Sequence, residues 1–132
     1  MKVIILAGGY GTRMPNYSQR IPKPMVRIGD APMLTHMMRI FSSFGFKNFI
    51  IAAGYKNEII KNYFIRSKEF SNLCVVDTGK NTMIGVRILK LKQYFDKNEI
   101  FIDRNKPGIC QFSHLYCGYH RRMSIAVLAI SI

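Results

Sequence analysis

Four short apolar runs, KVIIL (2–6), NFIIAA (48–53), LCVVD (73–77) and EIFI (99–102), alternate with segments whose apolar residues recur at helical spacing. Continuous apolar runs of this length, without polar alternation, are the pattern of strands buried on both faces. Between the first two runs, Pro32 sits where a first helical turn tolerates it. Met33, Leu34, Met37, Met38, Phe41 and Phe44 then recur at helical spacing before Gly45. In the next interval Asn57 is placed to cap a helix that carries Ile59, Ile60, Tyr63 and Phe64 on one face. The spacing of Met83, Val86, Leu89 and Leu91 predicts a third helix over about residues 81–95. Strand and helix in strict alternation require parallel pairing through right-handed crossovers, so the expected fold is α/β, a mostly parallel sheet in a three-layer domain.

At 132 residues and 48% hydrophobic, the chain suits one domain that buries most of its apolar surface. A net charge of +13, from 20 Lys and Arg against 7 Asp and Glu, attracts polyanions in general. The basic residues are scattered from Lys2 to Arg122 and form no stripe, which favours a solvated basic surface over a nucleic-acid partner. The apolar stretch at the N-terminus is too short for a signal peptide, and no segment reaches membrane-spanning length. Three cysteines, Cys74, Cys110 and Cys117, make no disulfide framework, so the expected location is the reducing cytoplasm, with no membrane partner.

The first strand runs directly into LAGGYGTR (6–13). In an open α/β sheet, ligands gather at the carboxyl ends of the strands, which is where this loop leaves the sheet. Gly8, Gly9 and Gly11 permit close backbone approach, so successive amides can form a nest around phosphate oxygens. Thr12 adds a hydroxyl, and Arg13 a fork of donors matched to phosphate. The stretch is neither a Walker loop nor the dinucleotide fingerprint, and a glycine turn by itself is also compatible with a tight connection. Ten residues on comes IPKPMV (21–26), where prolines on both sides of Lys23 stiffen the backbone and favour extended geometry, holding the lysine in one place.

LAGGYGTR followed by PKPMV resembles the sugar-phosphate nucleotidyltransferases, and VDTGKNTMIGVR (76–87) with GYKNEIIKNYF (54–64) is similar to their glucose-1-phosphate cytidylyltransferase branch. The resemblance implies a Rossmann-like sheet and transfer of CMP from CTP to glucose-1-phosphate, giving CDP-glucose and pyrophosphate. It places Leu6, Ala7, Gly8, Gly9 and Gly11 along the nucleotide, Thr12 and Arg13 at its β and γ phosphates, and Lys23 at the reacting centre. Arg13 and Lys23 are then the catalytic residues. In the cytidylyltransferase branch the Thr of the TM pair and the closing Arg help hold the nucleotide, and the resemblance places these at Thr82 and Arg87. Without the resemblance, Thr82 reads as a helix cap and Arg87 as a surface charge.

The resemblance covers residues 1 to about 102, so the domain is expected to be incomplete relative to the family, the nucleotide-binding half alone. The family's TMTGGR is TMIGVR here, with Ile84 and Val86 in place of threonine and glycine. The family also implies Mg2+, yet its Gly-Asp-Gly turn has no counterpart. Asp103 is close in sequence but out of register, and no metal ligand is assigned. Residues 103–132 read as an unrelated tail such as a shifted reading frame would produce. Activity of the chain alone is expected to be impaired. An exposed sheet edge leaves room for a homo-oligomer. The alternative reading is a basic nucleic-acid-binding module, with Cys110, His114, Cys117 and His120 holding zinc in that tail.

Overall fold

The computed structural model describes residues 2–9, 20–94, 99–103, 109–111 and 125–131. The first strand, β1, spans Lys2–Ala7. A short 3₁₀ turn over Lys23–Met25 leads into a two-stranded hairpin, β2 (Arg27–Ile28) and β3 (Ala31–Pro32). Then follow α1 (Met33–Ser43), β4 (Asn48–Ala53), α2 (Asn57–Ser67), β5 (Asn72–Asp77) and α3 (Ile84–Lys90). A second 3₁₀ turn (Lys92–Tyr94) follows α3, and the remaining strands are β6 (Glu99–Asp103), β7 (Ile109–Gln111) and β8 (Ile125–Ser131).

Among the described residues six strands form one sheet in the order β5-β4-β1-β8-β6-β7. All neighbours are parallel except β7, which runs antiparallel to β6. The mostly parallel α/β sheet is therefore as expected. The register explains why the apolar runs show no alternation. Val3, Ile5 and Ala7 of β1 pack with Phe49, Ile51 and Ala53 of β4 under Leu34 and Met38 of α1 and Ile60 and Phe64 of α2. The intervening Ile4, Leu6, Ile50 and Ala52 pack on the other face against Ile88 of α3 and Leu91. Both faces are thus buried, and each fully covered Ile or Phe contributes about 1.5–3 kcal/mol by leaving water.

The direction of winding reverses at β1. From there the chain moves outward through β4 to β5 with α1 and α2 on one face, then crosses under α3 to β6 on the far side. The carboxyl end of β1 is consequently a topological switch point. The final strand enters the sheet centrally: β8 pairs with β1 from Lys2 opposite Val127 to Leu6 opposite Ser131, and with β6 on its other side.

Several local expectations are corrected. The third helix is short, because residues 79–83 are held in a turn. The Thr82 hydroxyl donates to the Thr78 carbonyl, and the Gly79 amide donates to Asp77 Oδ1 at 2.9 Å. Met83, Val86 and Leu89 are exposed at 78%, 44% and 41%, and Arg87 and Ile88 take the buried face instead. Phe44, expected on the core face of α1, is its exposed C-cap. Asn57 does not cap α2 with its side chain. The N-cap is Lys56 in the left-handed region (φ 52°), and the Asn57 amide donates to the Gly54 carbonyl at 3.2 Å. Val86, where the family has glycine, lies within α3 and not among the positive-φ residues, so its side chain meets no backbone conflict there.

Outside the core, Arg39 of α1 donates to Asp30 Oδ2 at 2.9 Å and to Glu69 Oε1 at 2.7 Å, clasping the β2–β3 hairpin and the α2–β5 connection to one helix. The guanidinium hydrogen bond holds the Asp30 carboxyl below the usual carboxylate range.

Candidate functional site

The residues at the site are set by where β1, β4 and β5 end. Leu6 and Ala7 close β1 with their side chains buried, one on each face of the sheet, so only their backbone is available to a ligand. Gly8 is buried and Gly9 exposed as the chain leaves the sheet. Gly11, Thr12 and Arg13 lie outside the described residues. β4 ends at Ala53 and runs into the buried Gly54, and β5 ends at Asp77, followed by the buried Thr78.

One side chain joins these three strand ends. Arg87 is 4% exposed, and it enters from α3 beneath the glycine turn. Its Nη2 donates to the Gly8 carbonyl at 3.0 Å and to the Lys80 carbonyl at 3.4 Å. Its Nη1 donates to the Thr78 hydroxyl and to the Ala53 carbonyl at 3.4 Å. Thr78 is itself pinned to Ala53, whose carbonyl accepts from the Thr78 amide at 2.8 Å and from its hydroxyl at 2.7 Å. A guanidinium suits this position because its planar fork satisfies several oxygens at fixed angles, which an ammonium cannot do.

Two glycines make the space. A Cβ on Gly8 would collide with the Arg87 guanidinium, standing 2.6 Å from Nε alone. A Cβ on Gly54 would meet Nη1, and would stand 2.8 Å from both Nη2 and the Gly79 carbonyl oxygen. The glycine of the first loop is therefore required on its inner side by packing, whatever its outer side binds.

The structure brings Leu6, Ala7, Gly8, Gly9, Thr82 and Arg87 to one end of the sheet. Arg87 is not a surface charge, and Thr82 does not cap α3, whose N-cap is Met83. Instead Thr82 and Lys90 both donate to the Thr78 carbonyl, Lys90 at 2.9 Å. Lys23 is part-exposed between the buried Pro22 and Pro24. The backbone there is a 3₁₀ turn and not the extended segment expected: the Met25 amide donates to the Pro22 carbonyl at 2.8 Å and the Val26 amide to that of Lys23 at 3.1 Å. Proline fixes φ at a value the first turn of a helix shares with extended chain, so stiffness alone did not separate the two. Gly54 and Thr78 were not singled out by sequence reasoning. Each directly follows an apolar run, which marks a strand end, but nothing local marks the contact with Arg87 that gives it a role.

Among the described residues no three His, Cys, Asp or Glu side chains are grouped to hold a metal ion. Asp103 closes β6 opposite Ala129 of β8. Of the four tail residues considered for zinc, Cys110 lies in β7, and His114, Cys117 and His120 fall outside the described residues. No described helix is long and apolar enough to cross a membrane.

An open, mostly parallel α/β sheet with glycines leaving its switch point places the chain in the class of α/β proteins whose ligands bind outside the carboxyl ends of the strands. Within that class the chain belongs to the nucleotidyl transferase family, whose model matches residues 2–103. It is 37% identical to a glucose-1-phosphate cytidylyltransferase of Salmonella typhimurium, over 83% of this chain and 51% of that protein. It is 33% identical to a probable glucose-1-phosphate cytidylyltransferase of Bacillus subtilis, over 100% of this chain and 60% of the relative. Among solved structures, HddC from Yersinia pseudotuberculosis complexed with GMP-PN matches with a TM-score of 0.63 at 31% identity, over 74% of this chain and 44% of that one. The chain thus spans about half the length of the curated relatives it matches.

Proposed function

We propose that this chain is the nucleotide-binding half of a cytoplasmic sugar-1-phosphate cytidylyltransferase, with CTP and glucose-1-phosphate as substrates. The observation that carries the reading is the Gly8–Gly9 segment at the switch point of the sheet, with Gly8 buried against Arg87 and Gly9 exposed. The identity shared with two cytidylyltransferases supports cytosine and glucose.

In the proposed reaction an oxygen of the sugar phosphate attacks the α-phosphorus of CTP. One P–O bond forms, the bond between the α-phosphorus and the bridging oxygen breaks in line, and pyrophosphate leaves with the electron pair. Such a transfer needs positioning and charge neutralisation more than covalent chemistry. The amides of Gly8, Gly9 and Gly11 line the nucleotide, Thr12 and Arg13 bind the β and γ phosphates, and Lys23 neutralises charge at the α-phosphate. Thr82 and Arg87 hold the nucleotide end of the site from behind. The family implies Mg2+. Among the described residues no three carboxylate, His or Cys side chains group to hold it.

Calorimetric titration of the chain with CTP, with and without magnesium and beside an Arg13→Ala variant, tests this reading. Saturable binding that is lost in the variant is the expected result, and parallel titrations with UTP and GTP examine the base. Pyrophosphate release with glucose-1-phosphate then reports activity. A folded wild-type chain that binds no nucleotide refutes the reading.

A further inference from the structure

We infer that the outer edge of β5 pairs antiparallel with the same edge of a second copy of this chain, about a twofold axis through Cys74. β5 closes one end of the sheet, with β4 as its one neighbour among the described residues. The Thr78 amide donates to the Ala53 carbonyl at 2.8 Å, and backbone direction alternates along a strand, so Cys74 and Val76 bond toward β4. Leu73, Val75 and Asp77 therefore turn their N–H and C=O groups outward. Such a row is a template for another strand, which proteins blunt with lysine, proline or a bulge. β5 carries none of these: NLCVVD pairs with β4 residue for residue from Asn72 to Asp77.

Charge leaves this edge open to a second copy. The chain holds 20 Lys and Arg, yet residues 69–79 contain neither and include Glu69 and Asp77, so two chains of charge +13 can approach here with little repulsion. In an antiparallel pair, outward-facing residues must stand opposite outward-facing ones. Two symmetric registers that satisfy this keep most of the strand paired, with the axis through Cys74 or through Val75. The Val75 axis sets Leu73 against the partner's Asp77, an apolar side chain against a carboxylate that already accepts from the Gly79 amide. The Cys74 axis sets Leu73 against the partner's Val75 on the face covered by α1 and α2, and Asp77 against the partner's Ser71, a hydroxyl donor. On the α3 face the two Cys74 side chains meet, and Asn72 lies opposite the partner's Val76. A cavity of about 430 Å³ lined in part by Ile50, Asn72, Cys74 and Tyr94 leaves space beside the axis.

Leu73, Cys74, Val75 and Val76 are half-buried where their β4 neighbours are buried, so pairing covers apolar surface that the single chain leaves in water. One strand pair is small beside the roughly 1,200 Å² of a stable interface, which makes the dimer weak and concentration-dependent.

The test uses the full chain with Cys110→Ser and Cys117→Ser, which leaves Cys74 as its one cysteine. Sedimentation velocity over a concentration series is expected to show the mass rising from one copy to two. Copper phenanthroline, with dissolved oxygen as the oxidant, should trap that dimer through a Cys74 disulfide. A chain that stays monomeric throughout overturns the inference. So does a dimer that does not crosslink, since the Val75 axis sets the two thiols a diagonal apart, beyond disulfide reach.

Val75→Pro removes an outward N–H and no bond to β4, so it should weaken association by about tenfold or more with the circular dichroism of the parent chain. A folded proline variant that associates as before overturns the inference. If it does not fold, charge at the axis decides. Cys74→Glu and Cys74→Lys each place like charges opposite one another and should abolish self-association, and mixing the two should restore a dimer. Variants that each still dimerise, or a mixture that stays monomeric, overturn the inference.

Discussion

Replacing Gly54 by alanine tests whether the Arg87 guanidinium is held as rigidly as its packing implies. The added methyl would collide with Arg87 Nη1 and stand 2.8 Å from Nη2 and from the Gly79 carbonyl, against an ordinary contact of 3.4–4 Å. Retreat is blocked on the far side by the Gly8 backbone, which also lacks room for a Cβ beside the guanidinium. The guanidinium must therefore give up its Nη1 bonds to Thr78 and Ala53 or push the strand ends apart. Hydrogen bonds involving a charged group contribute about 1.5–3 kcal/mol each, and overpacking costs about 1–3 kcal/mol. Because the two bonds share one group and relax together, the expected loss is about 3–5 kcal/mol. Urea unfolding followed by circular dichroism reads this as a lowered midpoint with an unchanged slope. A loss below about 1 kcal/mol would show that the guanidinium has somewhere else to go, and its rigid seating would be refuted.

Phe49→Ala, at a side chain 1% exposed between β1 and the helices, is expected to cost about 3–5 kcal/mol in the same assay, and a smaller loss means that the core collapses around the gap. Ile88→Lys should unfold the chain by burying a charge against β1 and β4, whereas Met83→Lys at the exposed N-cap of the same helix should leave the thermal midpoint unchanged; equal effects would refute the orientation of α3. The Asp30–Arg39 link contributes stability present above about pH 4, the unfolded value, and lost as pH falls through the depressed folded value. Arg39→Ala should therefore flatten the acid limb of the stability curve, by an amount that shrinks in high salt, and an unaltered limb would show that the link is not made in solution.

Strands β1 and β4 were legible because a sheet covered on both faces leaves its mark on the whole of a run: after Lys2 and Asn48, KVIIL and NFIIAA have no polar position to misplace. The first two helices were legible for the complementary reason, a single apolar face. Legibility failed at α3, where Met83, Val86 and Leu89 suggested the wrong face. A seven-residue helix offers too few turns for periodicity to choose between faces, and the buried position is taken by an arginine that hydropathy assigns to water. The site was readable in part. Glycines after a strand point to an anion by local backbone chemistry. Thr78 and Gly54, by contrast, matter only through a side chain that arrives from another element.

By itself the sequence determined the strands β1, β4, β5 and β6, the first two helices, the parallel pairing of the first three of those strands and a glycine-rich loop at a strand end, because these follow from local periodicity and backbone preference. Tertiary structure alone decided that β8 lies beside β1 and that α3 presents Arg87 to the sheet. It also decided that the Gly8 carbonyl faces inward. Each of these depends on which oxygens and which empty spaces distant segments bring together. A buried guanidinium is stable only where that convergence satisfies its donors, and no local stretch of chain carries that information.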